Sequence, residues 1–128
     1  MRVLLDTHVF LWWVEGDRVL PARARAALAD PENECLLSVA SAWELAIKSG
    51  LGKLKLALPV MRYVVEHVAA NAFRLLDIGL THVGRVELLP PHHGDPFDRL
   101  LVAQALEEKL AIVTADPVFR KYGVRRIW

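Results

Sequence analysis

The stretch Val3-Leu4-Leu5-Asp6-Thr7-His8-Val9-Phe10-Leu11-Trp12-Trp13-Val14-Glu15-Gly16 decides the fold class. Its first three residues form a short, unalternated apolar run, which is how a strand reads when both of its faces are covered. From Thr7 to Glu15 the apolar residues recur at helical spacing until Gly16 ends them. The unit is a buried strand passing directly into a helix, with one acid, Asp6, at the junction.

Working outward, the same alternation repeats. Pro21 opens a second helix through Ala29, ended by Asp30-Pro31, and Cys35–Ser38 reads as a strand feeding a helix over Ser41–Ser49 that Gly50 and Gly52 close. Pro59 begins a helix through Ala70, Phe73–Ile78 is a third strand, and Thr81–Leu88 is a short helix before Pro90-Pro91. Pro96 starts a helix to Lys109, Ala111–Thr114 is a fourth strand, and Arg125–Trp128 is a short edge strand. No repeat or low-complexity linker interrupts the series. Strands of this kind between helices predict an α/β fold of three layers, α/β/α, around a mainly parallel sheet of four to five strands. Right-handed crossovers start each helix at the carboxyl edge of the preceding strand, and ligands of open α/β sheets bind beyond that edge.

With 128 residues, 54% of them hydrophobic, the chain has material for one core, so a single domain over 1–128 is expected. The first residues read as an opening strand, without the apolar length or cleavage region of a signal peptide, and no apolar run reaches membrane-spanning length. Cys35 is the only cysteine, which excludes an internal disulfide and a thiolate cage and fits a reducing cytoplasm. The net charge of +1 argues neither for nor against a polyanionic ligand. Its distribution is uneven: Arg120, Lys121, Arg125 and Arg126 crowd the last nine residues and Arg18, Arg23 and Arg25 form a second group, as a basic rim or a solvated face would.

Four acids fall where the topology looks for chemistry. Asp6 follows the first strand, Asp116 follows the fourth in Thr114-Ala115-Asp116, and Glu44 and Asp98 lie in the opening turns of helices that start at the same edge. Brought within a few ångströms, such carboxylates repel, and one of them holds a proton unless a cation neutralises the set. Hard oxygen ligands without thiolate select Mg²⁺ or Mn²⁺, and a Mg²⁺ site of this kind draws further oxygens from water and substrate phosphate. Phosphodiester hydrolysis is the natural reaction. Taken singly, each acid has a local reading as well. Asp6 can cap its helix, Ser41-Ala42-Trp43-Glu44 matches a capping box with Glu44 also able to pair with Lys48, Asp95-Pro96 suits a helix start, and Asp116-Pro117 suits a turn.

The order Leu-Leu-Asp6-Thr-His, Ser-x-x-Glu44, Gly94-Asp95-Pro96-Phe97-Asp98-Arg99-Leu-Leu-x-Ala-Gln-Ala and Thr114-Ala-Asp116 resembles the PIN-domain ribonucleases, and more closely the VapC toxins of bacterial toxin–antitoxin pairs. The likeness spans essentially the whole chain, and Asp-Pro-Phe-Asp-Arg is its most specific part. It implies a PIN-like fold and a catalytic, metal-holding set of Asp6, Glu44, Asp98 and Asp116 with Mg²⁺ or Mn²⁺ as cofactor. It implies RNA as substrate, a cognate antitoxin packed in a hydrophobic groove, and a homodimer. Thr7 and Thr114 match hydroxyl positions beside the acids, where a plain helix-start or strand-end role is equally open. Asp95 fits a cap or an outer contact to the metal, and Arg99 fits a phosphate contact or a surface ion pair.

His92-His93 with Asp95 suggests zinc, but adjacent imidazoles usually diverge and no third lies at diagnostic spacing, so an exposed loop is expected. Trp12, Trp13 and Trp43 read as core and groove aromatics, and neighbouring Trp12 and Trp13 must face partly different surfaces. Two other functions are compatible with the same fold. One is an aspartyl-phosphate phosphatase with Asp6 as nucleophile, disfavoured because His8 stands where such enzymes place a second acid. The other is a non-catalytic binding module, disfavoured by the presence of all four acids.

Overall fold

The structure is a computed structural model describing Met1–Trp128. Its elements run β1 (Arg2–Leu5), α1 (Thr7–Glu15), α2 (Ala22–Ala29), β2 (Glu34–Ser38), α3 (Val39–Gly50), α4 (Val60–Ala70), β3 (Arg74–Leu76), α5 (Leu80–Glu87), α6 (Pro96–Glu108), β4 (Ala111–Val113), α7 (Val118–Lys121) and β5 (Arg126–Ile127). All five strands pair in parallel in the order β3-β2-β1-β4-β5. The unalternated strands predicted this sheet, and alternation across the pleat explains its two covered faces. Val3 and Leu5 of β1 point into one core with Phe10 of α1, Ala24 and Leu28 of α2 and Val64 of α4. Leu4 points into the other with Leu101, Val102 and Ala105 of α6 and Phe119 of α7.

The order places β1 at the centre, with the chain stepping to β2 and β3 on one side and to β4 and β5 on the other. The connections after β1 and β4 therefore depart in opposite senses, leaving the crevice that open α/β sheets use for ligands. Asp6 and Thr114 stand at its lip, tied by the amide of Asp6 donating to Val113 O at 3.0 Å. On the far side, the Ser38 hydroxyl at the end of β2 donates to Gln104 Oε1, and Gln104 Nε2 donates to Asp77 O beyond β3 at 3.2 Å. Ser38 and Gln104 are fully buried, so this link fixes α6 against two strand ends.

Local starts and stops differ from the sequence reading in instructive places. The third helix begins at Val39, not Ser41, because Ser38 caps it by accepting from the Ala40 amide at 3.0 Å. Ser41 is thereby released from the capping-box role and lies buried inside the helix. Gly50 belongs to that helix, and Gly52 makes the left-handed turn at φ 71°. The third strand is three residues long where six were expected, and α7 is an additional short helix after Asp116-Pro117. No helix is long and apolar enough to cross a membrane.

Phe10 is completely buried beneath the sheet and meets Tyr63 edge-on at 6.1 Å. Phe10→Ala is expected to lower unfolding free energy by about 3–5 kcal/mol, read from urea unfolding curves.

Candidate active site

Five carboxylates line one pocket of about 220 Å³ at the carboxyl edge of the sheet: Asp6, Glu44, Asp95, Asp98 and Asp116. The four acids predicted from sequence are thus brought together, with Asp95 as a fifth. Lys48 is the one lysine or arginine in the lining. No three acid, histidine or cysteine side chains close into a ready-made ion cage, so the acids share a pocket without converging on a single preformed point.

Each carboxylate is held by its own partners. Asp6 caps α1, with Oδ1 accepting from the Thr7 amide at 2.7 Å and Oδ2 accepting from the Thr114 hydroxyl at 2.7 Å. Burial nevertheless dominates and raises its pKa, outweighing both hydrogen bonds. Thr114 is fully buried, and its oxygen also accepts from the Asp116 amide at 3.1 Å, so one hydroxyl links the acids after β1 and β4. Asp116 Oδ1 accepts from the Val118 amide at 2.9 Å, which forms the predicted turn into α7. Arg126 clamps that turn by donating to Thr114 O at 3.0 Å and Ala115 O at 2.6 Å.

Glu44 is only 7% exposed. Its Oε1 accepts from the Thr7 hydroxyl at 2.7 Å and its Oε2 pairs with Lys48 at 2.8 Å, the i,i+4 contact the helix spacing predicted. Buried Ser41 sits 2.9 Å from the Thr7 oxygen and completes the cluster. Asp95 caps α6 by accepting from the amides of Phe97 and Asp98 at 2.9 and 3.1 Å. Its local role is therefore realised even as its carboxylate lines the pocket.

Asp98 carries the electrostatic burden. Its pKa is pushed up to about 7, first by burial and then by the negative charges of Asp6, Asp95, Glu44 and Asp116. His93 Nε2 lies 3.5 Å from Asp98 Oδ2, and the ring's Nδ1 meets the Tyr122 hydroxyl at 2.7 Å. The histidine expected on an exposed loop is instead tucked beside the acid. Arg99 differs as well. Its guanidinium donates to the carbonyls of Val86, Leu89 and Pro90 and to the Tyr122 hydroxyl, securing the α5–α6 connection.

The sequence reading found Lys48 through its helical spacing from Glu44 but missed Ser41, His93 and Arg126 as supports of the site. These act across 12 to 34 residues, and no short motif records such contacts.

The raised Asp98 pKa fixes the sign of a pH effect. An unfolded chain releases this proton near about pH 4, whereas the folded protein keeps it until about 7. The folded state holds more protons between these values, so stability of the ion-free protein falls as pH rises through the window. Asp98→Asn is expected to raise the urea midpoint at pH 8 above that of the parent and to bring its pH 5 and pH 8 midpoints closer together.

Comparison with known proteins adds a second line. A family model described as "PIN domain" matches residues 3–125. The chain is 32% identical over 121 residues to "Ribonuclease VapC22" of Mycobacterium tuberculosis (strain ATCC 25618 / H37Rv), covering 94% of this chain and 91% of that protein. Among solved structures, VapBC2 from Rickettsia felis, bound to a DNA fragment from its promoter, aligns with a TM-score of 0.72 at 15% identity over all of both chains. FitAcB from Neisseria gonorrhoeae aligns with a TM-score of 0.64 at 20% identity, over 97% of this chain and 95% of that one. At such identities the structural likenesses establish the fold alone.

Proposed function

Since the chain belongs to the PIN-domain family and to its VapC-type members, we propose that it is a Mg²⁺- or Mn²⁺-dependent endoribonuclease, the toxin of a type II toxin–antitoxin pair. The observation that carries this reading is the pocket that gathers five carboxylates, in which burial first and then the charges of the four other acids push Asp98 up to about 7. Negative charge of this density, met by a single lysine, is suited to a divalent cation, and the all-oxygen donors fit Mg²⁺ or Mn²⁺.

Asp6, Glu44, Asp98 and Asp116 are the residues that would hold the ion. When bound, a divalent ion supplies an activated water and Lewis-acid stabilisation of a phosphodiester. The chain's own groups prepare for it. Thr114 and the Thr7 amide fix both oxygens of Asp6, while the Thr7 hydroxyl fixes one oxygen of Glu44 and leaves the other to Lys48. Lys48 thus serves as the resident counter-ion, mobile enough on its stem to yield Glu44. Asp95 acts chiefly as the cap that aims α6, with an outer contact to the ion as its second role. Arg99 contributes by holding the connection ahead of Asp98.

Two apolar surfaces support the partner assignments. A groove of about 450 Å³ between α3 and α4, lined only by apolar side chains including Trp43, Ala46, Met61 and Val65, suits the antitoxin segment. Leu80 and Val83 of α5 and Leu88 just after it, at 86%, 52% and 75% exposure, suit a homodimer face. A cytoplasmic location accords with one free, buried cysteine whose pKa burial raises to about 11.

Purified protein is expected to cleave RNA with Mg²⁺ or Mn²⁺ and to stop on chelation. Asp6→Asn or Asp98→Asn should lower the rate by about 100-fold or more with the circular dichroism spectrum retained, and Thr114→Val should cost about 10- to 100-fold. Cleavage that persists after thorough chelation would refute the assignment. Met61→Glu with Val65→Glu is expected to leave the nuclease rate intact while abolishing inhibition by the cognate antitoxin.

A further inference from the structure

One nitrogen beside the acidic pocket lacks a partner, and one carboxylate in the pocket lacks one too. Nε2 of His93 is sealed from solvent and closes no hydrogen bond, with Asp98 Oδ2 standing 3.5 Å away. Among the four acids, Asp6 is tied by Thr7 and Thr114, Glu44 by Thr7 and Lys48, and Asp116 by the Val118 amide. Only the Asp98 carboxyl is left without a hydrogen bond. The two vacancies face each other.

The far side of the imidazole is firmly held. Nδ1 meets the Tyr122 hydroxyl at 2.7 Å, and the same oxygen accepts from Arg99 Nη1 at 3.2 Å. Arg99 is anchored in turn on the carbonyls of Val86, Leu89 and Pro90, and Tyr122 is buried at the end of α7. The tautomer follows from these donors and acceptors. A guanidinium only donates, so the Tyr122 proton is free for His93 Nδ1, which makes Nδ1 the acceptor and puts the proton of the neutral ring on Nε2. The opposite tautomer leaves both the tyrosine proton and the Nε2 lone pair open. This one leaves a single N–H, and it is directed at a carboxylate.

We propose that His93 is a positioning residue of the metal-holding edge: its Nε2–H holds Asp98 Oδ2, with the other oxygen left for the ion, while Tyr122 and Arg99 keep the imidazole in the tautomer that can do so. This rests on the nuclease reading above and adds a residue to that site. Carboxylates that hold metals are themselves hydrogen-bonded, and such contacts are often long before the ligand arrives and tighten with it. A ring protonated at Nε2 cannot ligate through that atom, so His93 stands beside the ion and not on it.

Long-range ¹H–¹⁵N NMR of the full chain with labelled histidine, at pH 8 in saturating Mg²⁺, reads the tautomer. His93 is expected to carry its proton on Nε2, and a neutral ring protonated on Nδ1 would overturn the proposal. Calorimetric titration of Mn²⁺ reads the consequence. His93→Phe keeps a ring and loses the donor, and is expected to weaken Mn²⁺ binding by about tenfold or more. His93→Gln, which retains an N–H at similar reach, should recover most of that loss, whereas a packing role would favour phenylalanine. Tyr122→Phe removes one oxygen, covers the case in which His93→Phe unfolds, and should also weaken Mn²⁺ binding. In the double variant the two losses should not add, since both act through one N–H. Parental affinity in His93→Phe and Tyr122→Phe, or a His93→Gln no better than His93→Phe, would overturn the role while RNA cleavage by the parent kept the nuclease reading. A parent that neither bound Mn²⁺ nor cleaved RNA would instead remove the nuclease reading, and the role of His93 with it.

Discussion

Repulsion among carboxylates at the carboxyl edge of the sheet is the constraint around which the molecule is arranged. Asp98 is buried and also feels four other negative charges, and the folded chain tolerates this by leaving that carboxyl protonated up to about pH 7. Such an arrangement lowers stability, so local selection for folding alone would disperse it. The topology holds it together regardless. With β1 central and its neighbours leaving in opposite directions, the ends of β1 and β4 must flank one crevice, and the helices after β2 and before β4 must open toward it.

The local and the collective readings of the acids are both realised, and this is physically coherent. A helix start supplies unpaired amides and a favourable dipole end, which tethers a carboxylate and offsets part of its charge. Asp6 and Asp95 are genuine caps, yet both still face the pocket. Hydroxyls do the remaining positioning. Thr7 and Thr114 orient Glu44 and Asp6 without adding charge, and Thr114 ties the ends of two strands through one oxygen. Arg126 stabilises the same turn through backbone carbonyls, so its cation is spent on geometry and does not neutralise the acids.

Much of this was legible in the sequence because it depends on local rules. Unalternated strands meant a covered parallel sheet, proline and glycine marked helix ends, and the acids stood at strand–helix junctions. Boundaries failed where two residues offered the same chemistry: Ser38 and Ser41 can each cap a helix, and tertiary contact chose Ser38 while burying Ser41 beside Thr7. Long-range partnerships were silent. Arg99 looks like a phosphate ligand beside Asp98, but its guanidinium donates to three carbonyls of the proline-rich connection instead. His93 turned inward for a related reason, since Tyr122, distant in sequence, offers its hydroxyl.

The acidic pocket and the apolar groove are adjacent because α3 serves both. Glu44 faces the pocket, whereas Trp43, the preceding residue and 55% exposed, lines the groove. Trp43 meets Phe97 edge-on at 5.1 Å, and Phe97 stands between the Asp95 cap and Asp98 on α6. Any body seated in the groove therefore bears on the two helices that aim Glu44 and Asp98. Packed interfaces transmit small displacements as discrete repacking and not as smooth deformation. A contact several residues from any carboxylate is thus mechanically connected to the spacing of the charges, and the groove and the acidic edge form one structural unit.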